Sequence, residues 1–117
     1  VQTCALPISQ SFSYAHVYDA VSGLLHVLLR GEGGQAYNLG DLDSDILLRD
    51  LAKLVADHTG KQVIFDLPDS VEKAGFSTAT KALMCGNKLR SIGWKPHYSV
   101  KDGIAETIDI LREILRK

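Results

Sequence analysis

Apolar side chains recur along this chain at more than one period, and that constrains its fold more than any single motif. In the first third they fall at Val21, Leu24, Leu25 and Leu28, the i, i+3, i+4, i+7 spacing of a helix with one apolar face. Leu47, Leu48, Leu51, Leu54 and Val55 form a second such stripe, and Ile104, Ile108, Leu111 and Leu115 a third. Between the stripes lie short runs rich in β-branched and aromatic residues: FSYAHVY (Phe12 to Tyr18), QAYNLG and QVIFDLP. Helices alternating with strands specify an α/β layer architecture. The expected inventory is about three short strands and four helices, the short helix being NKLRSIG.

Start and stop signals frame these elements. Asp19 is expected to cap the first helix and GEGG (Gly31 to Gly34) to end it. DLDSD offers caps for the second helix, which runs to about His58 and stops at Gly60. QVIFDLP reads as a strand covered on both faces and ended by Pro68, with a polar loop from Asp69 to Thr80. Gly93 stands at the C′ position of the short helix, and Ser99 with Asp102 is a capping box for the last one. Trp94 is expected to pack in the core over the short helix, and Cys85 to be a small buried residue.

Composition excludes several classes of function. With 117 residues and 45% apolar side chains, the profile is that of one soluble globular domain. Thirteen Lys and Arg are interspersed with 14 Asp and Glu, net −1, which leaves no basic patch for nucleic acid. No apolar run reaches the roughly 18 residues that span a bilayer, because SGLLHVLLRG is broken by His26 and ends at Arg30. Two cysteines, Cys4 and Cys85, are too few for a disulfide framework, so a cytoplasmic location is expected. The opening VQTCALPISQ has neither a basic n-region nor a long apolar core, so it fails as a secretion signal. It matches the translation of a sequencing adapter, GTT CAG ACG TGT GCT CTT CCG ATC T. Residues 1–9 are accordingly expected to be non-native, and the protein proper to begin upstream of the adapter junction.

Few residues carry chemistry. RGEGGQ has the glycines of a dinucleotide turn, but it follows a helix and precedes a strand, the reverse of what a pyrophosphate site needs. No tyrosine is followed four residues later by lysine: after Tyr14, Tyr18, Tyr37 and Tyr98 stand Tyr18, Ser22, Asp41 and Asp102. His16, His26, His58 and His97 show no zinc-ligand spacing with the cysteines. What remains is the loop SVEKAGFSTATKALM, where Lys73, Gly75, Ser77, Thr78, Thr80 and Lys81 combine cations, hydroxyls and a glycine that can meet phosphate oxygens.

Five segments in register, SYAHVYDAVSGLLHVLL, GQAYNLG, LLRDLAKLVADHTGKQVIFD, STATKALM and NKLRSIGWKPHYSVKDGIAETIDIL, resemble the C-terminal part of the extended short-chain dehydrogenases, the NAD-dependent nucleotide-sugar epimerases and dehydratases. The resemblance implies a parent of two lobes. A Rossmann lobe carries the NAD turn and a Tyr-x-x-x-Lys pair, and a smaller lobe, residues 10–117 here, holds the nucleotide of the sugar. It also implies a homodimeric parent and a fragment inactive by itself, while charge, hydropathy and cysteine usage lead to the expectation of a cytoplasmic protein with no nucleic-acid or membrane partner. Lys73 then takes the place of a diphosphate-binding arginine, Gly75 and Ser77 follow it in the loop, and Lys81 falls at a second basic position. Three positions depart from the pattern: Phe12 stands where relatives have an arginine, Leu47 where they have Ser or Asn, and Cys85 where they have Asp. A stand-alone α/β binding or regulatory module is the second reading.

Overall fold

The computed structural model describes residues 8–66, 69 and 80–116. In order these form β1 (Ser11–Ser13), α1 (Val17–Arg30), a 3-10 turn (Leu42–Ser44), β2 (Asp45–Leu47), α2 (Leu48–Thr59), β3 (Lys81–Ala82), α3 (Asn87–Ser91) and α4 (Val100–Leu115). The α/β class holds, with three strands and four α-helices among the described residues. β1 lies in the middle of a small mixed sheet, antiparallel to β2 (Phe12 opposite Ile46) and parallel to β3 (Phe12 opposite Ala82).

Local signals placed the helix ends. Gly60 adopts φ 67° and its flanking Lys61 N–H and its own N–H both reach Ala56 O, closing α2. Gly93, at φ 99°, follows α3. Ser99 Oγ accepts from Asp102 N at 3.1 Å and donates to Asp102 Oδ2 at 2.7 Å, the capping box of α4.

The strands lie elsewhere than the sequence suggests. β1 takes only Phe12 and Ser13 of FSYAHVY, QAYNLG is irregular, and residues 61–66 of the QVIFDLP region form no strand. A strand exists only where a neighbour completes its hydrogen bonds. β1 finds two neighbours in the short pieces β2 and β3, whereas Ile64 stands 90% exposed. Instead of capping α2, the DLDSD stretch builds the 3-10 turn and opens β2, and Leu47 precedes α2 without a side-chain cap. The YNLG run packs backbone to backbone on the segment entering α3: a Cβ on Gly86 would fall 1.8 Å from Gly40 O.

The largest correction concerns α1. Its N-cap is His16, not Asp19, and the expected inner stripe of Val21, Leu24, Leu25 and Leu28 is 50 to 78% exposed. Asp19 and Gly23 face inward instead, against Trp94 and Leu89, each 1% exposed. The cause is hydrogen bonding. Asp19 Oδ1 accepts from His97 N at 2.7 Å and Oδ2 from Tyr98 N at 3.0 Å, while Trp94 Nε1 donates to Asp19 O at 3.2 Å. A buried carboxylate cannot give up such donors cheaply, so these bonds set the rotation of the helix. At the far end of α4, Leu111 and Leu115 are likewise exposed, while Ile104 and Ile108 are half-buried where α4 packs on α2. Cys85 is exposed rather than buried, and Trp94 is core as expected.

Candidate functional site

Of the residues nominated for phosphate binding, Lys73, Gly75 and Ser77 lie outside the described residues. Lys81 is exposed on β3, with Ser11 of β1 as its ladder partner. Ser11 N donates to Thr80 O at 3.0 Å, so the chain leaving the 70–79 segment is tied to the start of β1. Leu47 pairs with Ser11 from the other side. Ser13 Oγ joins the three strands' ends, donating to Asp45 Oδ1 and accepting from Met84 N at 2.8 Å. The structure thus gathers Lys81, Phe12 and Leu47 around one short strand. Of the three positions that depart from the nucleotide-sugar pattern, Phe12 is on the central strand next to Ser11, the partner of Lys81, Leu47 lies across that strand from the lysine, and Cys85 is one residue beyond Met84. An exposed ammonium here can neutralise a phosphate as a point charge, without the fork of a guanidinium.

A second grouping was not visible in the sequence. His16, Tyr98 and Glu106 meet where the start of α1 touches α4, beside a cavity of about 260 Å³ whose walls include Tyr14, Leu51, Ile104 and Thr107. Tyr98 Oη donates to Glu106 Oε1 at 2.8 Å. That bond, with partial burial and the Glu106 charge behind it, raises the phenol above its ordinary value of 10.0, so Tyr98 is a hydrogen-bond donor at neutral pH. The His16 ring lies 4.3 Å from the Tyr98 ring and against Gly103, where a Cβ would meet His16 Cδ2 at 3.2 Å. His16 Nδ1 accepts from Tyr18 N, which leaves the proton of the neutral ring on Nε2. Nε2 in turn faces Glu106 Oε2 at 3.5 Å, an oxygen that is buried and has no hydrogen bond. The cluster ties the start of α1 to α4 through the Tyr98–Glu106 hydrogen bond and the His16–Tyr98 ring contact. Only tertiary proximity reveals it, since His16 and Tyr98 are 82 residues apart, the difference of their numbers.

Arg90 pairs with the buried Asp41, whose Oδ1 also caps the 3-10 turn. This pair fastens α3 to the turn before β2 and takes Arg90 out of the count of cations free to bind a ligand.

The glycines of RGEGGQ stand at the C-terminal end of α1. Gly31 is the C-cap of α1, and its N–H donates to Val27 O at 2.8 Å. A helix C-terminus presents carbonyls and a partial negative charge, which repels a pyrophosphate. These residues do not fit NAD.

No protein-family model matches the chain. Among curated relatives, dTDP-glucose 4,6-dehydratase of Streptomyces antibioticus is 31% identical over 100 residues, 86% of this chain and 29% of that protein. Among solved structures, dTDP-glucose 4,6-dehydratase of Bacillus anthracis in complex with NAD superposes with a TM-score of 0.76 at 18% identity, covering 94% of this chain and 34% of that one. The Bordetella bronchiseptica enzyme WbmF, solved with NAD+ and UDP, gives 0.73 at 19% identity, over 96% of this chain and 32% of its own. The fold is therefore the one found in about a third of each of these structures. The chain's homologues and structural neighbours are the nucleotide-sugar dehydratases and epimerases of the extended short-chain dehydrogenase family, dTDP-glucose 4,6-dehydratases, GDP-fucose synthases and UDP-galactose 4-epimerases among them. It spans about 30% of the length of the curated relatives it matches. Among the described residues, no helix is long and apolar enough to cross a membrane.

Proposed function

We propose that the chain is the substrate-binding portion of an NAD-dependent nucleotide-sugar epimerase or dehydratase, with residues 10–117 as its C-terminal lobe. The observation that carries this reading is the match of 80 to 89% of the chain to curated enzymes of this kind, of each of which it spans 27 to 30%. In this reading Lys73 and Lys81 neutralise the diphosphate of a UDP- or dTDP-type sugar, Gly75 lets the backbone approach it, and Ser77 adds a hydroxyl. Support for Lys81 comes from its exposure on an edge strand of the three-stranded sheet, paired with Ser11. NAD, bound by the other lobe, supplies the hydride transfer, and the residues of this chain bind and orient the nucleotide.

The test begins with the reading frame upstream of residue 10 in the source DNA. An in-frame Rossmann lobe is the expected result, and a frame that closes without one favours the stand-alone module. In calorimetry this chain is expected to show no saturable NAD binding. In the longer protein, Lys73→Ala and Lys81→Ala should each weaken UDP- or dTDP-sugar binding about tenfold, or about 1.4 kcal/mol. Unchanged affinity removes that lysine from the site.

A further inference from the structure

The outer face of α1 is unpartnered. Tyr18, Val21, Leu24, Leu25, Leu28 and Leu29 each expose half or more of their surface, on one helix of 14 residues. Together they present on the order of 700 Å² of mainly apolar surface, beyond the largest patch on a typical monomer and close to one partner's share of a stable interface. Tyr18, Val21, Leu25 and Leu28 follow the 3-4-3 spacing of a helix-packing seam, with Leu24 and Leu29 on its flanks. A groove of about 380 Å³ runs along the same side, past Ser22 and His26. We propose that this face is an internal interface of a longer protein, covered by the part of the polypeptide that the relatives carry outside the matched region. The inference rests on reading the chain as one lobe of a larger enzyme.

Three observations choose that occupant. The first is charge. Asp19 is turned to the opposite face, so Arg30, at the helix end, is the one Lys, Arg, Asp or Glu side chain along the groove. A helix that lies on a lipid surface brings a row of Lys and Arg with its leucines, which α1 lacks. The second is the state of the core. Among the described residues only Ala56, Leu89 and Trp94 are buried apolar side chains. The radius of gyration is 17.0 Å, against about 13 Å for a compact domain of this length. Exposed apolar groups continue on other elements, at Ile64 and at Ile114 and Leu115. A second copy related by a two-fold axis covers one patch on each molecule; it does not complete a core left open on several elements. The third is length. In structures that share this fold, roughly two thirds of the polypeptide lies outside the matched third. That remainder is large enough to cover all of these surfaces at once.

The experiment makes Leu25→Asp/Leu28→Asp in this chain and in the longer protein. In this chain the expected result is unchanged far-UV circular dichroism with less self-association in sedimentation, because both side chains already face water. In the longer protein the expected result is a thermal midpoint lower by 10 °C or more. Where that variant yields no folded protein, Leu28→Ala replaces it, with an expected fall of several degrees. An unchanged midpoint in the longer protein overturns the proposal. So does loss of an oligomer without loss of midpoint, which would identify a second copy as the occupant, and so does a reading frame with no further lobe. Calorimetry of the longer protein with NAD and a UDP- or dTDP-sugar separates this inference from the functional reading. Ligand binding with an unchanged midpoint defeats the interface alone; a lowered midpoint without ligand binding defeats the enzymatic reading alone.

Discussion

The two faces of α1 invert the usual arrangement of an amphipathic helix. Its inner face presents a carboxylate and a glycine, Asp19 and Gly23, to Trp94 and Leu89, while its outer face presents leucines to water. The inner contact is specific because it is polar: two backbone N–H groups, of His97 and Tyr98, converge on one carboxylate, and the indole N–H reaches the Asp19 carbonyl. Leucines would have held the helix with less regard to its rotation. Apolar pattern says that a helix has a face to bury, and the hydrogen bonds decide which face the rest of the chain receives.

That comparison can be broken most severely at its centre. Trp94→Ala should cost about 3–5 kcal/mol in urea denaturation, since it empties the largest buried side chain. Asp19→Ala should follow at about 2–4 kcal/mol, because it leaves two partly buried N–H groups without an acceptor, and Asp19→Asn, which keeps one, should cost less. If Asp19→Ala is near neutral, something other than this carboxylate sets the rotation of α1. A subtler effect comes from Tyr98, next to one of the Asp19 donors. Its hydrogen bond to Glu106 raises the phenol above 10.0, so above that pH the folded chain holds a proton that the unfolded chain has lost. The associated stability is complete below the ordinary phenol value and is lost as pH rises through the folded one. Thermal midpoints measured on either side should show this fall, and Tyr98→Phe should flatten it. On the outer face, Leu28→Ser should change the stability of this chain by less than about 0.5 kcal/mol. A larger loss would mean that Leu28 already has a partner.

What was legible in the sequence is what local physics decides. Gly60, Gly93 and the Ser99–Asp102 pair act within a turn of the helix they bound, and each sits where the sequence puts it. The rotation of α1 was not legible, because Asp19 meets partners 78 and 79 residues away. Nor were the strands. β2 and β3 have three and two residues, too few to show a period, while QVIFDLP has the composition of a strand but no neighbour among the described residues. At the candidate site, Lys81 could be nominated by its chemistry, but its place opposite Ser11 is a product of strand register. Lys73, Gly75 and Ser77 belong to the part outside the described residues, and their nomination rests on sequence alone. The order of the five segments carried the family resemblance, and the homologues agree with it.

The contact between Gly40 and Gly86 works as a spacer set to zero. Because no side chain fits between Gly40 O and the Gly86 backbone, the segment that links β3 to α3 is registered against the end of YNLG with no slack. Lys81 lies five residues before Gly86, by their numbering, on that same segment. A methyl group at position 86 would therefore push on the strand that carries the ammonium, and the reach of a candidate phosphate ligand is gauged by two residues that have no side chain to offer.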